Sequence, residues 1–229
     1  MRYIEHWEKY WLDYENIRPN AAKNIKFQCA LKLLPSEFKN LLDIGGGNGF
    51  FVELIRKNRY SVDFTVIDGS QTAVEKCREK NINSIYYDFD GNPLPFKDNS
   101  FDVVTCLDVL EHLHYPWKLL EEMKRVSKRY IIISCPNFAS IVNRVDVALG
   151  RPPRFMADKH GNQTHGGHIQ FITFNTLKYQ IEKIGLKITE HAVQDTLFGM
   201  RIPFVLRFKK LFPNIFGTLC IKVEKVNKS

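Results

Sequence analysis

LLDIGGGNGFF, residues 41–51, is an apolar run that opens into four glycines within five positions. A glycine-rich turn between a strand and a helix lets the backbone approach a ligand closely, because no Cβ stands in the way. Several nucleoside-containing ligands are held by such turns, so the spacing has to decide among them. A dinucleotide fingerprint, G-x-G-x-x-G, needs its third glycine at position 50 or 52 here, and those are Phe50 and Val52. A phosphate loop needs Lys-Ser or Lys-Thr after its last glycine, and neither follows. What remains is D-x-G-x-G-x-G, carried by Asp43, Gly45, Gly47 and Gly49.

Outward from this turn the chain alternates strand-like and helix-like stretches, the pattern of an α/β domain with a parallel sheet. LLDI (41–44) reads as a first strand, with Phe51, Leu54 and Ile55 recurring at helical spacing behind it. DFTVID (63–68) and SIYYDF (84–89) are a second and third strand, and Ser70 caps the helix between them. FDVVTCLDVL (101–110) is a fourth, central strand, and a helix begins at Pro116. YIIISC (130–135) is a fifth strand, β-branched throughout and suited to burial on both faces. A helix is expected near 138–149, then an irregular loop RPPRFMADKHGNQTHGGH (151–168) of the length typical of a lid. A last helix through Leu177, Ile181 and Ile184 precedes strands at 186–193 and 218–226, the final one expected at an antiparallel edge.

The 229 residues suit one domain of substantial size. Lys and Arg exceed Asp and Glu by 33 to 25, a net charge of +8 that favours anionic partners but is spread along the chain. Five cysteines, scattered and never in C-x-x-C, argue against a disulfide framework and for a reducing, cytoplasmic setting. No apolar leader opens the sequence, and no run approaches the ~18 apolar residues of a membrane span.

The D-x-G-x-G-x-G turn resembles motif I of the class I S-adenosylmethionine-dependent methyltransferases, in their type 11 or ubiquinone-biosynthesis O-methyltransferase-like branch. YYDFDGNPLPFKDNSFDVV (86–104), CLDVLEHL (106–113) and IISCPN (132–137) match the same family in order and spacing, so the resemblance covers about residues 38–137. HIQFITFNTLKYQIEKIGLKI (168–188) extends it weakly. It implies a Rossmann-like, seven-stranded, mostly parallel sheet with helices on both faces and a last antiparallel strand. The expected division of this single domain is an N-terminal helical cap (1–37), a cofactor core (38–137), a substrate lid (138–175) and a C-terminal helix with strands (176–229).

The resemblance also implies the cofactor, S-adenosyl-L-methionine, with S-adenosyl-L-homocysteine as product. Asp43 would order its cationic amino acid end, and Gly45, Gly46, Gly47 and Gly49 would let the backbone approach it. Asp68 would accept hydrogen bonds from the ribose hydroxyls with Gly69 beside it. Asp88 would take the adenine amino group, with Phe89 and Leu107 lining the ring.

Methyl transfer from a sulfonium is an in-line displacement, for which a base is needed only when the acceptor must lose a proton. Asp108, Glu111 and His112 have the spacing D-x-x-E-H, which on a helix places all three on one face. Two metal-dependent subsets of the family carry a similar E-x-x-E-H here, so a divalent metal is an alternative, with His160, His165 or His168 as a further ligand. His168 is the leading general base. A [DNS]-P-P-[YF] motif is absent after the fourth strand, and Cys135-Pro136 reverses the order needed for a cytosine nucleophile, which argues against DNA methylation.

The variable segments choose the acceptor. Residues 1–37 hold Tyr3, Trp7, Tyr10, Trp11 and Tyr14, an aromatic helix that either closes over the cofactor or packs on the core. FGMRIPFVLRFKKLFPNIF (198–216) interleaves phenylalanines with Arg201, Arg207, Lys209 and Lys210, which suits a peripheral membrane contact or a greasy anionic substrate. The expected acceptor is a small molecule, sugar or lipid methylated on oxygen. RNA 2′-O-methylation, or a non-catalytic S-adenosylmethionine-binding subunit, is the alternative.

Overall fold

The computed structural model describes residues 7–8, 10–12, 25–57, 61–153, 168–193 and 217–226. Seven strands form one sheet: β1 (Asn40–Ile44), β2 (Asp63–Asp68), β3 (Asn83–Tyr86), β4 (Phe101–Leu107), β5 (Ser127–Pro136), β6 (Leu186–Val193) and β7 (Thr218–Lys225). Their order is β3-β2-β1-β4-β5-β7-β6. The pairs among β1 to β5 are parallel, whereas β7 runs antiparallel to both β5 and β6. The sheet is the expected Rossmann-like one. The final strand is not at the edge as expected: β7 inserts between β5 and β6, burying Cys220, Ile221 and Val223 completely.

The helices are α1 (Ile25–Leu33), α2 (Phe50–Arg56), α3 (Gln71–Glu79), α4 (Pro116–Val126), α5 (Ile141–Ala148) and α6 (Phe174–Lys183). Alternation within the strands divides the core between the two faces of the sheet. Leu42, Val104, Ile131 and Ile133 pack with Leu119, Leu120 and Met123 of α4 and Leu177 and Ile181 of α6. Leu41, Val103 and Ile132 pack with Cys29, Ala30 and Leu33 of α1 and Phe51, Val52 and Ile55 of α2. Strands buried on both sides read as continuous apolar runs, which is why β1, β4 and β5 are so plain in the sequence.

Several boundaries moved for local reasons. β3 stops at Tyr86, not Phe89, because Asp88 and Asp90 form a turn in which Asp90 N–H donates to Asp88 Oδ1 at 3.0 Å. β4 stops at Leu107, not Leu110, because Asp108 takes a left-handed conformation (φ 56°), and a single 3₁₀ turn, Leu110–His112, follows. β5 starts at Ser127, directly after α4, with a register shift between Phe101 and Val103 where the helix hands over to the strand. No helix among the described residues is long and apolar enough to cross a membrane.

Candidate functional site

Between β1 and β4 the chain reverses its direction of travel across the sheet, and open α/β sheets bind ligands outside the carboxyl ends of the strands at such a point. The glycine turn lies there. Gly45, Gly47 and Gly49 have φ of 65°, 56° and 75°, a region that side chains with a Cβ adopt only at a cost of roughly 1–2 kcal/mol. The glycines are needed sterically as well. A Cβ at Gly49 would lie 2.5 Å from Ile82 Cδ1, one at Gly46 would lie 2.6 Å from Asp43 Oδ2, and one at Gly47 would strike the Trp11 ring.

Asp68 stitches this turn to β2. Its Oδ2 accepts from Gly47 N–H at 2.8 Å and its Oδ1 from Ser70 N–H at 2.9 Å, while Gly45 N–H donates to Ile67 O at 2.7 Å. Burial raises the Asp68 carboxyl to about 6 against the pull of those backbone donors. Asp43 is also buried, donated to by Thr105 Oγ1 at 2.6 Å, and desolvation carries it up to about 7 despite that bond and the charge of Lys26. Gly69 is buried beside Asp68, and Leu107 is buried at the end of β4. Asp88 is exposed after β3, whereas Phe89 is 3% exposed and packs into the core rather than lining an open ring site.

On the far side of β1 the D-x-x-E-H stretch divides. Asp108 does not share a face with Glu111 and His112, because its left-handed backbone turns it back along β5. Its Oδ1 accepts from Ser134 Oγ at 2.6 Å and its Oδ2 lies 3.2 Å from Lys26 Nζ. Burial pushes the Asp108 carboxyl up, but Lys26 and Ser134 outweigh it and hold it below its ordinary value. The helical reading of this motif, and with it Asp108 as a catalytic or metal-binding partner of Glu111, is therefore corrected.

Glu111, His112 and His168 do come together, each with a ligand atom within 4.8 Å of the others. Glu111 Oε1 is 3.9 Å from His112 Nε2 and 4.0 Å from His168 Nε2. The two imidazoles stand 4.6 Å apart, ring centre to ring centre. Residues 56 positions apart in sequence meet because Ile169 and Gln170 N–H groups both donate to Glu111 O (2.9 and 3.0 Å) and Gln170 Nε2 donates to Leu113 O (2.9 Å). Glu111 is 2% exposed, and neither carboxylate oxygen has a hydrogen-bond partner among the described residues. Desolvation, reinforced by Asp108, raises its carboxyl well above the ordinary range. His114 lies apart, on Asp90 at 2.7 Å, and His160 and His165 fall outside the described residues, as do Tyr3, Tyr14 and the 198–216 stretch.

Two residues at this edge, Glu8 and Lys26, escaped the sequence reading. Glu8 accepts from Ser70 Oγ at 2.8 Å and from Thr72, at the start of α3. Trp7 stands edge-on to His112 at 4.8 Å, and Trp11 covers Gly47. Trp7 and Trp11 therefore reach the strand-end edge. Lys26 was legible in principle: with Cys29, Ala30 and Leu33 it continues the i, i+3, i+4, i+7 stripe that α1 buries.

Residues 42–133, from β1 into β5, match the family model of the methyltransferase domain. Over these residues, less than half of its length, the chain is similar to the class I methyltransferases. An uncharacterized methyltransferase of Mycobacterium sp. (strain KMS) is 30% identical over 102 residues, which are 44% of this chain and 39% of that protein. The mitochondrial ubiquinone biosynthesis O-methyltransferase of Schizosaccharomyces pombe is 33% identical over 99 residues, 38% of this chain and 34% of its own. The methyltransferase domain is thus shared with relatives of which it spans well under half. Among solved structures, a SAM-dependent methyltransferase of Thermotoga maritima superposes with a TM-score of 0.69 at 19% identity, covering 98% of this chain and all (100%) of that one, which shows the shared fold.

Proposed function

We propose that the protein transfers a methyl group from S-adenosylmethionine to an oxygen of a small-molecule, sugar or lipid-type acceptor. The observation that carries this reading is the buried Glu111–His112–His168 cluster beside the glycine turn. The turn lies where the strand order switches, the place at which open α/β sheets bind ligands, with the buried acids Asp43 and Asp68 beside it. Bound there, S-adenosylmethionine supplies a methyl group made electrophilic by its positive sulfur. Asp68 is the acceptor for the ribose hydroxyls, using lone pairs beyond those given to Gly47 and Ser70, and Asp88 stands at the adenine end.

His168 takes the proton of the acceptor hydroxyl. The oxygen so freed would be the nucleophile for the methyl group that the cofactor supplies, with the neutral thioether as leaving group. Glu111, 4.0 Å from His168 Nε2, lies against that ring, and Trp7 stands edge-on to His112 beside it. Similarity to a relative named for O-methylation supports oxygen as the acceptor atom.

A second reading is carried by the two Glu111 oxygens, which have no hydrogen-bond partner among the described residues. One carboxylate and two imidazoles are a donor set suited to a divalent transition metal, held by Glu111, His112 and His168. Such an ion would lower the pKa of a bound hydroxyl and orient it.

The test is transfer of tritiated methyl into lipid, sugar, quinone and RNA extracts. Label is expected in a non-nucleic-acid fraction; label confined to RNA, or none from a protein that binds the cofactor, overturns the reading. His168→Ala should lower kcat by about 10²–10⁴ while leaving S-adenosylhomocysteine affinity within about threefold. Activity unaffected by chelation removes the metal.

A further inference from the structure

The helix α5 is built inside out. An ordinary surface helix turns its apolar stripe to the core and its polar side to water. Here Asn143 and Asp146 are buried, while Val145, Val147, Ala148 and Leu149 face outward. Local hydrogen bonds hold this inversion. Ser140 caps the helix by accepting from Asn143 N–H, and the Asn143 side-chain amide donates inward to Phe138 O at 3.0 Å.

The outward face continues beyond the helix. Phe138 N–H donates to Ile172 O at 2.9 Å, which lays residues 169–172 beside the start of α5. In this stretch Ile172 is buried and Gln170 Nε2 donates to Leu113 O. Ile169 and Phe171 therefore turn outward, and the Phe171 ring lies 4.8 Å from that of Phe138. Ten large apolar side chains are exposed among the described residues. Five of them, Val145, Val147, Leu149, Ile169 and Phe171, between 37% and 60% exposed, fall on these two short stretches. Single exposed apolar residues need no explanation, but a group of them marks a surface that meets a partner.

Charge decides which partner fits. Arg144 and Arg151 stand exposed toward either end of the face, whereas Asp146, the one acid in residues 138–151, is buried, and residues 169–172 carry no charge. A second copy of the chain docked through the same patch would set arginine against arginine with no carboxylate to pair them. An anionic lipid surface complements both features, its headgroups taking the guanidiniums and its acyl boundary the apolar side chains. We propose that the α5 face docks the protein on an anionic membrane. The face adjoins the candidate site, since β5 ends at Pro136 on the same edge of the sheet and Ile169 directly follows His168. The docking goes beyond the reading of the reaction and does not depend on the methyl acceptor.

Co-sedimentation of the full chain with lipid vesicles tests the proposal. Phosphatidylcholine vesicles with about one-third phosphatidylglycerol should bind it at least about tenfold more tightly than phosphatidylcholine alone, and roughly 0.5 M salt should remove most of that difference. Leu149→Ser with Phe171→Ser should weaken binding to the anionic vesicles by about tenfold or more, through lost apolar insertion. Arg144→Gln with Arg151→Gln should also weaken it by about tenfold or more, through lost headgroup contacts. All four positions are exposed, so both double variants should melt within about 2 °C of wild type. A wild-type protein that does not bind the anionic vesicles, or a double variant that binds them as wild type does, overturns the proposal. So does a dimer, seen by sedimentation velocity, that Leu149→Ser with Phe171→Ser dissociates, since the face would then belong to a second copy.

Discussion

On the β2 side of the strand-end edge, Asp68 is buried with both oxygens engaged by backbone N–H groups, and Gly45, Gly47 and Gly49 lock into the turn it holds. On the β4 side, Glu111 is buried as deeply, yet neither of its oxygens has a hydrogen-bond partner among the described residues. The first arrangement is a satisfied polar network, which makes a rigid platform for a ligand. The second stores the cost of an unsatisfied buried carboxyl, the condition in which a group gains most from a proton, an imidazolium or a metal ion. The satisfied and the unsatisfied acid thus lie along one edge, with Lys26 and Asp108 between them.

The largest effect separating the two sides is expected on the β2 side. Asp68→Ala removes the acceptor of two backbone donors and should cost about 2–3 kcal/mol of stability. S-adenosylhomocysteine binding should weaken at least tenfold, by roughly 1.4 kcal/mol, and a variant that binds as tightly as wild type would break the comparison at once.

Replacing the unsatisfied acid should act in the opposite direction. The Glu111 carboxyl is raised well above its ordinary 4.5 in the folded state, so the native protein holds a proton that the unfolded chain releases. Stability from this group is therefore present below about pH 4.5 and is lost as pH rises toward the folded value. Glu111→Gln should match wild type near pH 4.5 and melt about 2–4 °C higher at pH 8, where each kcal/mol relieved is worth roughly that much. Methyl transfer should fall at the same time. A melting point lowered at pH 8 and insensitive to pH would instead mean that the carboxylate is engaged, as by a metal.

The smallest effect concerns Glu8, whose partners at the start of α3 are partly exposed. Burial raises its carboxyl, but hydrogen bonds from Thr72 and Ser70 outweigh that and hold it below 4.5. Its contribution is present above the unfolded value and is lost as pH falls through the folded one. Glu8→Gln should cost under about 1 kcal/mol at pH 7 and nothing at pH 3, seen as a shrinking difference in melting temperature.

The platform was legible because its parts are near neighbours in sequence or repeat in order: the turn at 45–49, Asp68 at the end of its strand, Asp88 after the next. The chemical side was half legible. Glu111 and His112 were named, but the D-x-x-E-H spacing suggested one helical face, and a left-handed Asp108 sent its acid to Lys26 instead. Phe89 packs with the core, and a single buried aromatic reads the same in sequence as a ring contact or as a core residue.

By itself the sequence determined the doubly covered parallel sheet and the glycine turn, because strand burial and positive φ leave marks in residue type at fixed local spacing. Only the tertiary structure decided that His168 meets Glu111, that Lys26 meets Asp108, that Trp11 lies over Gly47, and that β7 slips between β5 and β6. Those contacts join residues far apart along the chain. They follow from how helices and loops settle on the sheet edge, which no local spacing records.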